Sequence, residues 1–474
     1  MTAEATFERV SRTKGREATL GVIPGRFALA VGRPNLPAPR DWSWTPLSSV
    51  AQLESGHTPS RKHPDYWDGG IPWVSIKDAV DNHGRTIDDT CQHVSQLGLD
   101  NSSARLLPPR TVCLSRTASV GYVVAMGREM ATSQDFVNWV CGPRLEPDYL
   151  KYVLLAERES LLRFASGTTH QTIYYPEAKA FHVLLPPPAE QGRIANVLRA
   201  LDAKIDVNRR MNETLEQMAG ALFKSWFVDF DPVHSKATGK QPFGMDDGTA
   251  ALFPKTFRAS DLGSIPNSWQ VSSVRAECEA VYDGPHATPA PSPVGPVFLG
   301  IRNLTPRGLD LSETRRLSED DWPRWTKRVV PSAGDIVFSY EATLGYFAIL
   351  PRGLRCCLGR RLALVRPLRG PYNGHYLFHY FVSAPFQGYL KQHASVGATV
   401  DRILIADFPE YPVLLPSPQL VAAFEDRASA WWATIHSRSA ESYALATLRD
   451  CLIPKLLSGE LRVKDAEALV GEAT

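Results

Sequence analysis

The sequence has no Cys-x-x-Cys pair. Its seven cysteines, an odd number, stand at 91, 113, 141, 278, 356, 357 and 451. That spacing excludes a zinc ribbon and a disulfide framework, and leaves free thiols of a cytoplasmic protein as the simple expectation. No run of about 18 uncharged apolar residues exists, so no membrane-spanning helix is expected. The fairly apolar stretch Thr19–Val31 is cut by Pro24, Gly25 and Arg26 and has no convincing signal cleavage site. There is little net charge: 52 basic against 50 acidic side chains, or +2. A polyanionic partner must therefore be met by local patches. Self-sufficient chemistry is missing too. The chain carries no phosphate loop, no HExxH, no Gly-x-Ser-x-Gly elbow, no Cys/His cluster at metal-ligand spacing and no Asp/Asn-Pro-Pro-Tyr/Phe tetrapeptide. The acidic pairs Asp88-Asp89 and Asp320-Asp321 read as turn or surface residues. These absences point to a binding or organising protein.

What is there is a repeat. The length of 474 residues predicts two to four domains, and 43% apolar with 22% charged residues is ordinary globular composition. Five blocks recur in one order at an offset that drifts by only a few residues. Trp44 with Ser48-Ser49-Val50 is echoed by Trp269 with Ser272-Ser273-Val274, and Ile71–Asp78 by Val297–Asn303. Ser115–Gly121 (SRTASVG) is echoed by Ser339–Gly345 (SYEATLG), Ala165–Thr169 by Ser395–Thr399, and Leu184–Pro188 by Leu414–Pro418. Two copies are too few for a solenoid, so two similar domains are expected.

Each copy opens with short β-type runs: Thr111–Leu114, Tyr122–Met126 and Phe136–Val140 in the first, Ile336–Ser339, Tyr346–Leu350 and Leu362–Val365 in the second. Helical stretches follow at Pro147–Phe164 and Tyr372–Gln392. This mixture predicts an α+β fold without regular βαβ alternation. Each copy then closes with a long helix. The first, from Pro188 to Trp226, has seam rows Ile194, Leu201, Asn208, Leu215, Leu222 and Leu198, Ile205, Asn212, Ala219, Trp226. The C-terminal helix has Phe424, Trp431, Arg438, Leu445, Leu452 and Ala428, Ile435, Ser442, Arg449, Leu456. That spacing is a coiled-coil signature. The polar interruptions coincide: Asn208 and Asn212 sit at seam positions of the first helix, and Arg438 and Ser442 at the same seam positions of the second under an offset of 230 residues. The two helices are therefore expected to pack antiparallel, with these polar layers near the middle. The expected division is an N-terminal extension of weak structure over residues 1–40, a domain at 41–187, a helix at 188–230 and a linker at 231–265. A second domain at 266–418 and a helix at 419–465 complete it.

Four local signatures resemble the DNA-specificity subunits of type I restriction–modification systems: SGHTPSRKHPDYWDGGIPWVSIKD (Ser55–Asp78), LPPPAEQGRIANVL (Leu185–Leu198), ALFKSWFVDFDPV (Ala221–Val233) and LRDCLIPKLLSGELRV (Leu448–Val463). The resemblance spans about residues 42–465, in the family's order. It departs at the extra 40 N-terminal residues and at Pro289–Val297, which matches the family's opening block poorly. It implies two target-recognition domains, related by an internal pseudo-twofold, that each read one half of a split double-stranded DNA sequence. It further implies that the helices bind two methyltransferase (modification) subunits and that restriction/translocase subunits join. The chain itself then needs no cofactor. S-adenosylmethionine, ATP and magnesium belong to the partners, in the cytoplasm and away from membranes.

On that reading the expected DNA-facing residues are Lys77, Arg116, Ser166, Thr168, Thr169, His170 and Gln171 in the first domain, and Arg302, Tyr340, Thr399 and Arg402 in the second. Lys77 and Arg302 follow equivalent β-type runs, and the small polar loop SGTTHQ offers hydroxyls, backbone amides and a glutamine able to pair with adenine. Trp67 and Trp73 read as loop anchors. Residues 41–188 carry 13 basic and 16 acidic side chains, a net −3, and residues 266–418 carry 16 and 13, a net +3. Two alternatives stay open at the sequence level: a scaffold of a related defence complex that reads no DNA, and a divergent standalone nuclease or methyltransferase.

Overall fold

The computed structural model describes residues 21–166, 171–306, 308–311, 314–368, 374–395 and 401–473. The chain divides into two compact units, one of residues 1–205 with 444–474 and the other of residues 206–443.

In the first unit, five strands lie in the order Ala51–Ser55, Phe136–Cys141, Val112–Ser115, Val123–Met126, Thr86–Ile87. The first four are antiparallel neighbours, and the last pair is parallel. The central strand Val112–Ser115 is buried on both faces, as its unbroken apolar run requires. Beside this sheet, Trp67–Val74 pairs in parallel with Ala131–Thr132. A four-stranded sheet runs Ile23–Pro24, Leu29–Val31, Phe181–Leu185, Ser43–Pro46. The expectation of a weakly structured N-terminal tail is therefore corrected over residues 23–31. Leu29 and Ala30 are fully buried, and the Glu157 carboxylate accepts the backbone N–H groups of Arg26, Phe27, Ala28 and Leu29 at 2.6–3.2 Å.

That same Glu157 explains a break. The helix expected at Pro147–Phe164 is two helices, Pro147–Ala156 and Arg158–Phe164. They part where the buried Glu157 turns its side chain to the N-terminal strand.

In the second unit, four antiparallel strands run Cys278–Asp283, Leu362–Pro367, Ile336–Ser339, Phe347–Ile349. Ser292–Leu299 pairs in parallel with Cys356–Leu358. The helix expected at Tyr372–Gln392 is again two, His375–Val382 and Ala384–His393, parted at Ser383 ahead of Pro385. The expected linker is folded: residues 231–265 hold the helices Asp231–Ala237 and Asp247–Ala251, with Val233 and Phe253 buried.

The long helices run Pro188–Phe227 and Pro418–Leu457, 40 residues each. None of the twenty residues in the four expected seam rows is exposed. Within the second unit, Asn208 donates to the Glu441 carboxylate at 2.7 Å and accepts from Arg438 at 3.3 Å. Within the first unit, Arg449 donates to Asp202 at 2.8 Å. Within the second unit Asn208 meets Glu441 while Asn212 meets Ile435, so numbers rise on one helix as they fall on the other and that pairing is antiparallel. Asn212 donates to Ser439 Oγ at 3.1 Å and to the Ile435 carbonyl at 3.3 Å.

Candidate nucleic-acid interface

Both units build one loop cluster with the same backbone bonds. In the first, Ser115 ends a strand and its Oγ accepts the Tyr122 N–H at 2.8 Å, while Gly121 N donates to Ser115 O at 3.0 Å. In the second, Ser339 Oγ accepts from Tyr346 N at 3.2 Å, and Gly345 N donates to Ser339 O at 3.0 Å. The turns need left-handed backbone at Ala118 (φ 59°) and Ala342 (φ 68°), then at Gly121 (φ 90°) and Gly345 (φ 72°). Glycine meets that demand without strain.

The next residue of each turn joins a second loop. Arg116 N donates to Asp135 O at 2.7 Å, and Arg116 O accepts from Ile173 N at 2.9 Å. Tyr340 N donates to Arg361 O at 3.2 Å, and Tyr340 O accepts from Ile403 N at 2.8 Å. Ahead of each lies a two-residue bridge, Ser166 to Thr172 and Ser395 to Arg402. The structure thus brings Arg116, Ser166 and Gln171 into one cluster, and Tyr340 with Arg402 into its counterpart. Gln171 and Arg402 are exposed. Thr168, Thr169, His170 and Thr399 lie outside the described residues.

Lys77 and Arg302 are not brought to these turns by any bond among the described residues. Both are exposed on short helices, Ile76–Asp81 and Ile301–Asn303. Each helix start is closed from within: Ser75 N donates to Asp78, and Gly300 N to Asn303 Oδ1.

Several residues of the clusters escaped the sequence reading. Thr58 bonds Gln134, and Arg116 Nε donates to the Gln134 carbonyl at 3.2 Å, so the segment 56–62 borders the Arg116 turn. Close approach is built in at Gly56 and Gly284, where an added Cβ would lie 2.0 Å from Ser133 O and 2.6 Å from Gly359 O. In the second unit, Asp283 meets His286 at 2.9 Å and Arg328 at 3.8 Å. Burial, then the neighbouring Asp283 carboxylate, pushes the Tyr340 hydroxyl's pKa up, so it stays protonated. Arg116 lies over the Tyr175 ring at 4.9 Å, and burial raises that phenol too. Trp73 is buried and donates to His57 O at 3.0 Å, the anchoring role expected of it. The only signal for this loop was its place in the SGHTPSRKH block.

Among the described residues no group of three His, Cys, Asp or Glu side chains is placed to hold a metal ion, and no helix is long and apolar enough to cross a membrane.

Residues 39–217 match the family of the type I restriction modification DNA specificity domain. The chain is 24% identical over 431 residues to the type I restriction enzyme MjaIX specificity subunit of Methanocaldococcus jannaschii, covering 90% of this chain and 95% of that one. To the HindI specificity subunit of Haemophilus influenzae it is 24% identical over 71% of this chain and 84% of that one. The crystal structure of a type I restriction–modification system S subunit from M. genitalium shares the fold. Its TM-score is 0.51 at 14% identity, over 90% of this chain and 98% of that chain.

Proposed function

We propose that this chain is the DNA-specificity subunit of a type I restriction–modification system, and that each of its units reads one half of a bipartite double-stranded DNA site through its loop cluster. The observation that carries this is the duplication itself: two units present the same turn, fixed by the same hydrogen bonds, with different side chains at Arg116 and Tyr340. A shared backbone with divergent side chains is what two readers of unlike half-sites need. Phosphate contacts position such a reader, and base-edge contacts specify. Arg116, Ser166, Thr168, Thr169, His170 and Gln171 are assigned to one half, and Tyr340, Thr399 and Arg402 to the other. Lys77 and Arg302 belong to phosphate contacts outside the turns.

The remaining roles follow from the same reading. The long helices dock two methyltransferase subunits, and restriction/translocase subunits join the complex. The chain performs no catalysis and holds no cofactor; S-adenosylmethionine, ATP and magnesium act on the partners, in the cytoplasm. The net −3 of residues 41–188 and +3 of residues 266–418 leave the partners to complete the electrostatic grip.

The test is co-expression with the neighbouring methyltransferase-like subunit, followed by sequencing of methylated bases in host DNA. One bipartite motif is expected. Exchange of residues 266–418 for those of another family member should change one half of it alone. A stable complex that methylates no motif would overturn the reading and leave a scaffold.

A further inference from the structure

Arg61 is an exposed arginine held in place without a carboxylate. Its guanidinium carbon lies 3.6 Å from the Trp67 ring centroid and 5.5 Å from that of Trp73. The two indoles meet edge to face at 5.2 Å, so the platform is braced. One Nη donates to Gln92 Oε1 at 2.8 Å, and no ion pair involves Arg61 among the described residues. A guanidinium has five N–H donors. Stacking uses its face and Gln92 one donor, which leaves the rest of the edge free.

The other unit carries a similar pair in a closed state. Arg355 lies over Trp322 at 4.6 Å, but both of its terminal nitrogens are taken by Glu319, at 2.6 and 2.7 Å. Other arginines of the first unit are likewise occupied: Arg105 by Glu54, Arg110 by Glu146, Arg199 by Asp148 and Arg449 by Asp202. An arginine that is oriented in advance yet left unneutralised is suited to an incoming acceptor pair, since its ordering cost is already met. Its position fits, because the segment that carries it borders Arg116 through Thr58 and Gln134.

We propose that Arg61 is a DNA-contacting residue of the first unit, its stacked guanidinium gripping an acceptor pair on the duplex. That pair is either two phosphate oxygens or the O6 and N7 edge of a guanine. The inference rests on the DNA-reading function proposed above.

The experiment uses the chain assembled with its methyltransferase subunits and a fluorescein-labelled duplex. The duplex carries the motif that the wild-type complex methylates, and a scrambled duplex serves as reference. Arg61→Ala, Arg61→Lys and, as a control, Arg355→Ala are compared at several salt concentrations. Arg61→Ala is expected to weaken binding about tenfold or more, with Arg61→Lys recovering only part, while Arg355→Ala binds as wild type. A uniform loss on both duplexes, with the salt slope reduced by about one, identifies phosphate. A loss confined to the motif, with one base position of the first half relaxed, identifies guanine. Unchanged binding by Arg61→Ala in a complex that still assembles overturns the proposal. A wild-type complex that methylates no motif overturns the DNA-reading function instead, so the two failures are distinguishable.

Discussion

Asn208 donates its side-chain amide to the carboxylate of Glu441 at 2.7 Å, from a position with no exposed surface. Such a bond inside a helix seam costs stability relative to leucine but makes other registers worse, because they leave the polar groups unpaired. Asn208→Ala removes a hydrogen-bond partner from both Glu441 and Arg438 and should lower unfolding stability by about 1–3 kcal/mol. Asn208→Leu combined with Arg438→Leu and Glu441→Leu should recover much of that loss. Urea midpoints of the single and triple variants check both.

Tyr149 donates its buried hydroxyl to Leu184 O at 2.6 Å, and Tyr376 does the same to Leu414 O at 2.5 Å. Phenylalanine at either place should cost about 1 kcal/mol. The two losses should be alike, and their sum should hold in the double variant, since the sites share no partner. Chemical denaturation with a probe in each unit measures this.

Trp432 donates its indole N–H to His379 Nε2 at 3.2 Å, which requires that nitrogen to be unprotonated. Burial, with His375 nearby, lowers the His379 pKa to about 3, and burial lowers His436 to about 4. The unfolded chain takes up these protons near the ordinary histidine value of about 6.5. Between that pH and the lowered values the unfolded state binds more protons, so stability falls as pH falls through this window and levels off below it. His379→Gln keeps an acceptor for Trp432 and should flatten the slope. Denaturation midpoints across the window decide it.

Gly121 holds its turn at φ 90°, where an added Cβ would lie 3.3 Å from Arg158 Cγ. Gly121→Ala should cost about 1–2 kcal/mol through the left-handed backbone alone. It should also disturb the Arg116 half of the methylated motif while leaving the other half unchanged. Sequencing of methylated bases in cells carrying the variant is the readout.

Removal of residues up to 33 deletes the strand Leu29–Val31 and leaves Glu157 buried without its four N–H partners. The cost should reach about 3 kcal/mol or more, and Glu157→Ala should match much of it. Thermal unfolding of the two variants compares them.

The long helices were legible because heptad spacing is a local signal, and all twenty seam residues proved sheltered. Their cross-helix partners were less so. Asn212 meets Ser439, a residue on neither seam row, and such a partner is set by how the other helix is turned in space. Strand ends shifted by only a residue or so, as at Val112–Ser115 and Phe347–Ile349. The strand Leu29–Val31 was missed because three apolar residues show no period, and its partner, Phe181–Val183, lies some 150 residues away. At the interface, the repeat aligned Arg116 with Tyr340, and the structure joins each to its second loop. Arg61 escaped because what marks it is a stack on Trp67 and the lack of an acid, both relations in space.

The first unit is not finished when its own stretch of chain has left the ribosome. Its core includes Leu445, Leu452, Leu456, Val463 and Ala466, all made after the second unit, whereas residues 206–443 supply that unit without interruption. During synthesis the later-encoded unit can therefore complete first, while the earlier one waits with part of its core uncovered. A chain cut short after residue 443 loses more from its beginning than from its middle. Completion of the first core thus waits until the second unit and the segment beyond it have been made.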